Sequence, residues 1–156
     1  MTTDSVAEIA LRPGAPADAP ACAALVNAWI DETPWFPRLH TPEDVVRYYC
    51  ETVFAKNEIH VADTRPGAGI AGFLCLTPCA HVSALYVAAP HRRRGIGRAL
   101  LDRAKARRPD GIALWAMQAN LGARRFYARE RFHEIRRTEG DNEEGLPDIL
   151  LAWSPA

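Results

Sequence analysis

The 156-residue sequence predicts a fold of the mixed α/β (α+β) class, with a mostly antiparallel sheet, flanking helices and two parallel strands at its centre. Three observations predict it. Short apolar runs alternate with helical periodicity in the order β-α-α-β-β-β-α-β-α-β-β. Two neighbouring runs have the pattern of an antiparallel hairpin. A strand–helix–strand unit follows them, and its two strands are expected to be parallel.

Each element of the first part follows from a local pattern. A short apolar run at 9–12 ends at a Pro-Gly pair, which is typical of a strand followed by a turn. Apolar residues spaced three and four apart from Asp18 predict a helix, and a loop with two prolines follows over 31–40. Thr41 then supplies an N-cap with Pro42 at the first helical position, so a second helix begins there.

The middle of the chain contains three strands in succession. The runs at 58–62 and 70–76 are separated by a Pro- and Gly-rich turn at 65–69, so they are expected to pair as a hairpin. A further apolar run at 81–87 forms the next strand.

The last part alternates helices and strands. Helical spacing predicts a helix over 95–107, and the continuous apolar run at 112–117 is typical of an interior strand. A second amphipathic helix is predicted over 121–131. The remaining elements are two strands and the acidic loop that joins them, at 132–136, 149–153 and 139–148.

The composition excludes several classes of protein. Apolar residues make up 48% and charged residues 24% of the chain, which rules out wholesale disorder. No apolar run approaches the roughly 20 residues of a membrane span, and the N-terminus lacks the pattern of a secretory signal. The four cysteines and five histidines have no metal-ligand spacing. We therefore expect one domain over 1–156, cytoplasmic, with no metal and no membrane partner.

The most informative stretch begins where the strand at 81–87 ends. Gly95 and Gly97 open the predicted helix and follow a run of three arginines at 92–94. The first turn of a helix presents unpaired N–H groups and the positive end of the helix dipole, and glycine lets a ligand approach that backbone closely. Such a turn favours a phosphate or pyrophosphate group. A dinucleotide fingerprint is excluded because Leu100 occupies the position of its third glycine.

This stretch resembles the R/Q-x-x-G-x-G/A signature of the GCN5-related N-acetyltransferase (GNAT) family. Residues 85–87 are similar to the strand that precedes the signature in that family. Residues 120–132 are similar to its N-x-x-A-x-x-F/L-Y-x-x-x-G-F helix. Pro90 lies one residue later than usual, and Arg131 replaces the usual Gly. The resemblance covers roughly residues 9–153.

The resemblance implies a GNAT-like sheet whose two parallel central strands splay around an acyl-CoA site. Acetyl-CoA would be the co-substrate, and a primary amine of a small-molecule or peptide acceptor would attack it directly in a ternary complex. Many relatives dimerise, which leaves a homodimer open. The resemblance assigns to CoA the end of a strand, the basic loop and one face of the next helix: Leu85, Tyr86, Val87, Arg92, Arg93, Arg94, Gly95, Ile96, Gly97, Arg98, Asn120, Ala123 and Phe126.

The catalytic groups follow from the same resemblance and from the chemistry. Tyr127 matches the usual general acid of the family, because a phenol with a pKa near 10 can protonate the leaving thiolate. The general base needs a carboxylate, an imidazole or ordered water that faces the gap. Glu32, His81 and Ser83 are the candidates, and His81 is expected on the same strand face as Leu85.

The loop between the first two helices is the expected acceptor pocket. Aromatic rings in a Pro-bounded loop can close over an alkyl chain or a cation, and a neighbouring acid attracts an amine. The acidic loop at 139–148 is expected to form an opposite wall. The predicted acceptor-binding residues are Trp29, Glu32, Trp35 and Phe36.

Two other function classes stay open on the residues alone. The Arg-rich helix over 95–107 could belong to a nucleic-acid or protein-binding module, although the formal net charge is zero and no aromatic residues lie among the arginines. A CoA-binding sensor without catalysis is the other. The presence of Asn120 and Tyr127 favours an enzyme, and the zero net charge argues against a nucleic-acid partner.

Overall fold

A computed structural model describes residues 9–64 and 69–155. In these ranges the strands are β1 (Ala10–Pro13), β2 (Glu58–Asp63), β3 (Ile70–Leu76), β4 (Val82–Val87), β5 (Ile112–Met117), β6 (His133–Thr138) and β7 (Asp148–Trp153). They form two sheets, one with the order β1-β2-β3-β4 and one with the order β5-β7-β6. The helices are α1 (Ala19–Asp31), α2 (Pro42–Tyr48), α3 (Phe54–Lys56), α4 (Ile96–Arg107) and α5 (Leu121–Arg129).

The predicted fold class and element order are confirmed. The antiparallel pairing of β2 with β3 confirms the hairpin, and the bounds of β3 and β5 agree with the predicted runs. Most of the predicted turn at 65–69 and the N-terminal residues 1–8 lie outside the described residues. A π-helical turn, Tyr49–Val53, connects α2 to α3, which the periodicity did not predict.

The two sheets meet at a single point and then separate. His81 and Ala113 form an isolated parallel bridge, and the backbone N–H of Ala113 donates to the carbonyl oxygen of Ala80 at 3.1 Å. Beyond this bridge β4 continues its pairing with β3, and β5 continues with β7. Because each strand keeps its own antiparallel partner, β4 and β5 splay apart toward Val87 and Met117.

Helices cover both faces of the sheets and hold this splay in place. On one face the buried side chains of α4 pack against β3 and β5 in one apolar cluster. On the other face α1 and the π-helical turn pack against Phe73 in a second cluster. Phe73, Leu100, Leu101 and Leu114 are almost fully buried, and each such side chain contributes about 1.5–3 kcal/mol.

A bulge in β4 changes which side chains face the gap. The register with β3 shifts between Cys75 and Leu76. As a result Val82 contacts the same core cluster as Leu85, although strict alternation would place the two on opposite faces. The expectation that His81 shares the face of Leu85 is therefore wrong.

Candidate active site

Helix α4 begins at the open end of the gap. Gly95 is its N-cap, with a φ of +82°, and Arg93 in the preceding loop has a φ of +66°. These left-handed residues turn the chain into α4, whose first N–H groups have no partner within the helix and are available to a ligand. The buried side chain of Ile96 anchors the start of the helix in the core. This geometry is that of an anion-binding helix N-terminus.

Gly97, in the first turn of α4, is a glycine that packing within the protein does not require. A Cβ atom at this position would lie 3.5 Å from Cζ of Phe126, which is an ordinary contact. Glycine inside a helix costs about 0.5–1 kcal/mol relative to alanine. A ligand that approaches the backbone closely explains why the position is bare, and a CoA pyrophosphate fits that requirement.

Arg92 connects the basic loop to the other side of the gap. Its Nε donates to the carbonyl oxygen of Val87 at 2.9 Å, and its guanidinium lies 2.6 Å from Oε1 of Glu32. Both side chains are about 40% exposed, at 43% and 39%, so the ion pair adds less than about 1 kcal/mol to stability. The predicted base candidate Glu32 is thus paired with a residue of the predicted CoA loop.

Helix α5, which approaches the first turn of α4 through Phe126, carries the predicted acid. Oδ1 of Asn120 accepts a hydrogen bond from the backbone N–H of Ala123 at 3.1 Å and caps the helix. Tyr127, about two turns further along the helix, packs edge-to-face against Phe126 and Phe132. Burial, with a smaller contribution from the neighbouring Tyr86 phenol, raises the pKa of Tyr127 above its usual range. Tyr127 therefore keeps its proton at neutral pH, as a proton donor must.

A cavity of about 490 Å³ lies on the α1 and α2 side of β4. Apolar side chains form much of its lining, and three carboxylates, an imidazole and three phenols complete it. The lining residues are Val26, Ile30, Phe36, Pro37, Leu39, His40, Asp44, Val45, Tyr48, Tyr49, Tyr86, Glu143 and Glu144. Nε2 of His40 lies 2.8 Å from Oε2 of Glu143, so this contact joins the two walls.

The structure brings only part of the predicted acceptor site into this cavity. Phe36 lines it, whereas Trp29 packs behind it against Tyr86 and Phe36. Trp35 packs edge-to-face on Trp29 and is partly exposed. Glu32 lies outside the lining, beside Arg92.

His81 lies away from the open end of the gap. It forms the bridge that joins the two sheets, whereas Val87, α4 and the cap of α5 lie at the opposite end of the splay. A base at this position would be separated from the basic loop by the length of β4. The carboxylate or imidazole that the chemistry needs is therefore better sought in the cavity.

Sequence reasoning missed several lining residues. Tyr86 was assigned only to CoA, and Asp44 was not assigned to the acceptor site. His40 and the phenols of Tyr48 and Tyr49 were not singled out. The π-helical turn after α2 brings Tyr49 inward, and no local signal in the sequence indicates it.

In the described parts of the chain, no helix has the length and apolar character needed to cross a bilayer. The same residues contain no group of three or more His, Cys, Asp or Glu side chains arranged to hold a metal ion.

Comparison with known proteins gives a consistent result. Residues 55–134 match the family model described as the acetyltransferase (GNAT) domain. The chain is 25% identical over 135 residues to the peptidyl-lysine N-acetyltransferase YiaC of Escherichia coli K12, which covers 83% of this chain and 88% of YiaC.

Two solved structures illustrate the similarity of fold. The solution structure of apo YjaB from Escherichia coli aligns with a TM-score of 0.75 and 22% identity, over 95% of this chain and 99% of that chain. The structure of yncA from Salmonella typhimurium with acetyl-CoA aligns with a TM-score of 0.70 and 16% identity, over 94% and 93%. Neither a binding module nor a non-catalytic sensor is favoured by these relatives. The chain belongs to the GNAT family and is an acetyl-CoA-dependent N-acetyltransferase.

Proposed function

We propose that the acceptor is a primary amine, carried as a cation, that enters the 490 Å³ cavity and is acetylated at the gap between β4 and β5. The observation that carries this proposal is the position of the cavity. Tyr86 lines it and belongs to β4, the strand that borders the gap. The carboxylates of Asp44, Glu143 and Glu144 in the lining would attract an ammonium group.

The chain's own residues divide the work between the two substrates. Acetyl-CoA supplies the acetyl group as a thioester. The α4 N-terminus, with Gly95 and Gly97, would hold the pyrophosphate through backbone N–H groups, and the backbone of residues 85–87 would pair with the pantetheine arm. Tyr127 would donate its proton to the sulfur as the thiolate leaves.

The cavity suits an alkyl ammonium more than a compact amine. Val26, Ile30 and Val45 form an apolar stretch of the lining, which would contact the methylene groups of a long side chain. The similar protein YiaC is described as a peptidyl-lysine N-acetyltransferase. A lysine side chain of a peptide is therefore the first acceptor to test, with small alkyl amines next.

The experiment measures free thiol released from acetyl-CoA when a lysine-containing peptide is added. A peptide with norleucine in place of lysine is the matched control, because it keeps the methylene groups and lacks the amine. We expect release with lysine only, and a fall in kcat/KM as salt is raised, since charge draws the acceptor in. The proposal fails if no lysine peptide, polyamine or other primary amine raises thiol release above the rate of hydrolysis.

A further inference from the structure

The three carboxylates in the cavity lining differ in their partners. Oδ1 of Asp44 lies 2.6 Å from a guanidinium nitrogen of Arg47, and Oε2 of Glu143 lies 2.8 Å from Nε2 of His40. The side chain of Glu144 forms no ion pair or hydrogen bond with any residue of 9–64 and 69–155. Among these three, Glu144 is therefore the carboxylate that is free to take a proton from a ligand.

Hydrogen bonds connect the loop that carries Glu144 to itself and to Asp148 at the start of β7. Nδ2 of Asn142 donates to the carbonyl oxygen of Leu146 at 2.6 Å and to Oδ2 of Asp148 at 2.9 Å. The backbone N–H of Leu146 returns a hydrogen bond to Oδ1 of Asn142 at 3.1 Å. Asp148 is buried, at 4% exposure, and also accepts from the hydroxyl of Thr138 at 2.5 Å. The network holds the backbone on either side of Glu144, which itself lines the cavity.

Tyr86 shares the cavity lining with Glu144. Its ring packs on Trp29 and stacks on Phe73. Burial, assisted by the charge of Glu144, raises the pKa of Tyr86 to about 12. Tyr86 therefore stays protonated, so Glu144 is the one of these two groups that can accept a proton.

The earlier base candidates are worse placed for this task. Glu32 is held by Arg92 outside the cavity, and His81 lies at the closed end of the splay. The titratable groups that share the cavity with Glu144 are His40, Asp44, Tyr48, Tyr49, Tyr86 and Glu143.

We propose that Glu144 is the general base that deprotonates the acceptor ammonium in the cavity. This inference rests on the proposed function. Glu144 takes the first proton, which frees the nitrogen lone pair to form the N–C bond while the C–S bond breaks. Tyr127 gives a proton to the sulfur and is reprotonated with the second proton lost by the nitrogen. One proton is released overall, through Glu144.

The test compares Glu144→Gln with Glu143→Gln, a matched variant that removes the same charge from the adjacent residue. Loss of a general base should lower the kcat of E144Q by about 10²-fold or more at neutral pH. The deficit should shrink as pH rises from about 7 to about 9.5, because solvent then deprotonates more of a lysine-type amine. E143Q should raise KM for the acceptor without a deficit in kcat that shrinks with pH.

Calorimetry measures the affinity of each variant for acetyl-CoA and so distinguishes a catalytic defect from a folding defect. Unchanged affinity in both variants shows that each is folded and that the CoA side is intact. A wild-type kcat in E144Q, a deficit that does not change with pH, or equal effects in E143Q would each overturn the assignment of Glu144. If instead the wild-type protein acetylates no amine, the proposed function itself fails, and the assignment fails with it.

Discussion

Arg131 occupies a backbone position that favours glycine. Its φ is +72°, and it follows the last turn of α5. The backbone N–H of Phe132 donates to the carbonyl oxygen of Tyr127 at 3.0 Å, and that of Arg131 donates to Ala128 at 3.1 Å. This pair of bonds is a Schellman motif, which ends a helix with a left-handed residue. It also explains why α5 stops at Arg129 rather than at the predicted 131.

We expect Arg131→Gly to stabilise the protein by about 0.5–1.5 kcal/mol, because glycine adopts the left-handed conformation without the Cβ clash. Urea denaturation measures the change. Arg129→Gly is the control, since its position is helical and glycine there should destabilise by about 0.5–1 kcal/mol. A loss of stability in Arg131→Gly would show that its side chain contributes more than the strain removes.

The hydroxyl of Tyr127 is the second feature at the residue scale. Tyr127→Phe keeps the ring contacts with Phe126 and Phe132 and removes only the proton donor. We expect kcat to fall by about 10²–10⁴-fold, with little change in acetyl-CoA affinity measured by calorimetry. Wild-type turnover in this variant, with chemistry shown to be rate-limiting, would reject Tyr127 as the general acid.

At the scale of elements, helix α4 has two roles: it packs in the core, and its first turn is expected to bind a ligand. Its buried face, with Leu100 and Leu101, holds the sheets together, while its first turn is kept bare at Gly97 although a Cβ atom would fit. A helix selected only for stability would carry alanine there. Helix α4 is therefore less stable than it would be with alanine in the turn that the proposed ligand approaches.

Gly97→Ala should change the stability of the protein and its affinity for acetyl-CoA in opposite directions. We expect the free protein to gain up to about 1 kcal/mol of unfolding free energy, while acetyl-CoA affinity falls because the methyl group occupies the space of the pyrophosphate. Denaturation and calorimetry on the same sample give the two quantities. Ala99→Gly, in the same helix, should lose stability instead. Unchanged affinity in Gly97→Ala would remove Gly97 from the binding surface.

At the scale of the whole molecule, Glu58 connects the first sheet to the far end of α4. It accepts hydrogen bonds from Nε and a terminal nitrogen of Arg107 at 2.6 and 3.2 Å, and lies 2.6 Å from Nε2 of the buried His60. The bonds from Arg107, followed by that from His60, lower the pKa of Glu58 to about 2. A carboxyl whose pKa is lowered by folding stabilises the folded state above its unfolded pKa of about 4.5.

The stability that Glu58 contributes should therefore be lost as pH falls from about 4.5 to about 2. We expect Glu58→Gln to cost on the order of 1–3 kcal/mol at pH 7, and the difference from wild type to vanish toward pH 2. Denaturation across this pH range measures it. Glu134→Gln removes an exposed ion pair with Arg137 and should have a much smaller effect. A pH-independent difference would mean that Glu58 acts through packing rather than charge.

The sequence by itself determined the features that depend on neighbouring residues. Strand runs, helix periodicity, the Thr41 cap, the β2–β3 hairpin and the glycines that open α4 are all local, and each of them appears in the structure. Tyr127 and Asn120 could be proposed as site residues for the same reason, since the motif that carries them is a continuous segment.

Only the tertiary structure decided which side chains share the cavity and which of them have a hydrogen-bond or ion-pair partner. His40 and Glu143 are 103 residues apart in the chain, and their contact depends on how the acidic loop packs against the segment before α2. The bulge in β4 and the π-helical turn reorient His81 and Tyr49 without any local signal. Glu32 is paired with Arg92, whereas Glu144 has no ion pair or hydrogen bond within 9–64 and 69–155, and this difference depends on contacts made after the two sheets meet and splay. The charge pattern and periodicity of a sequence do not predict such distant pairs of residues, because these pairs result from the packing of the whole chain.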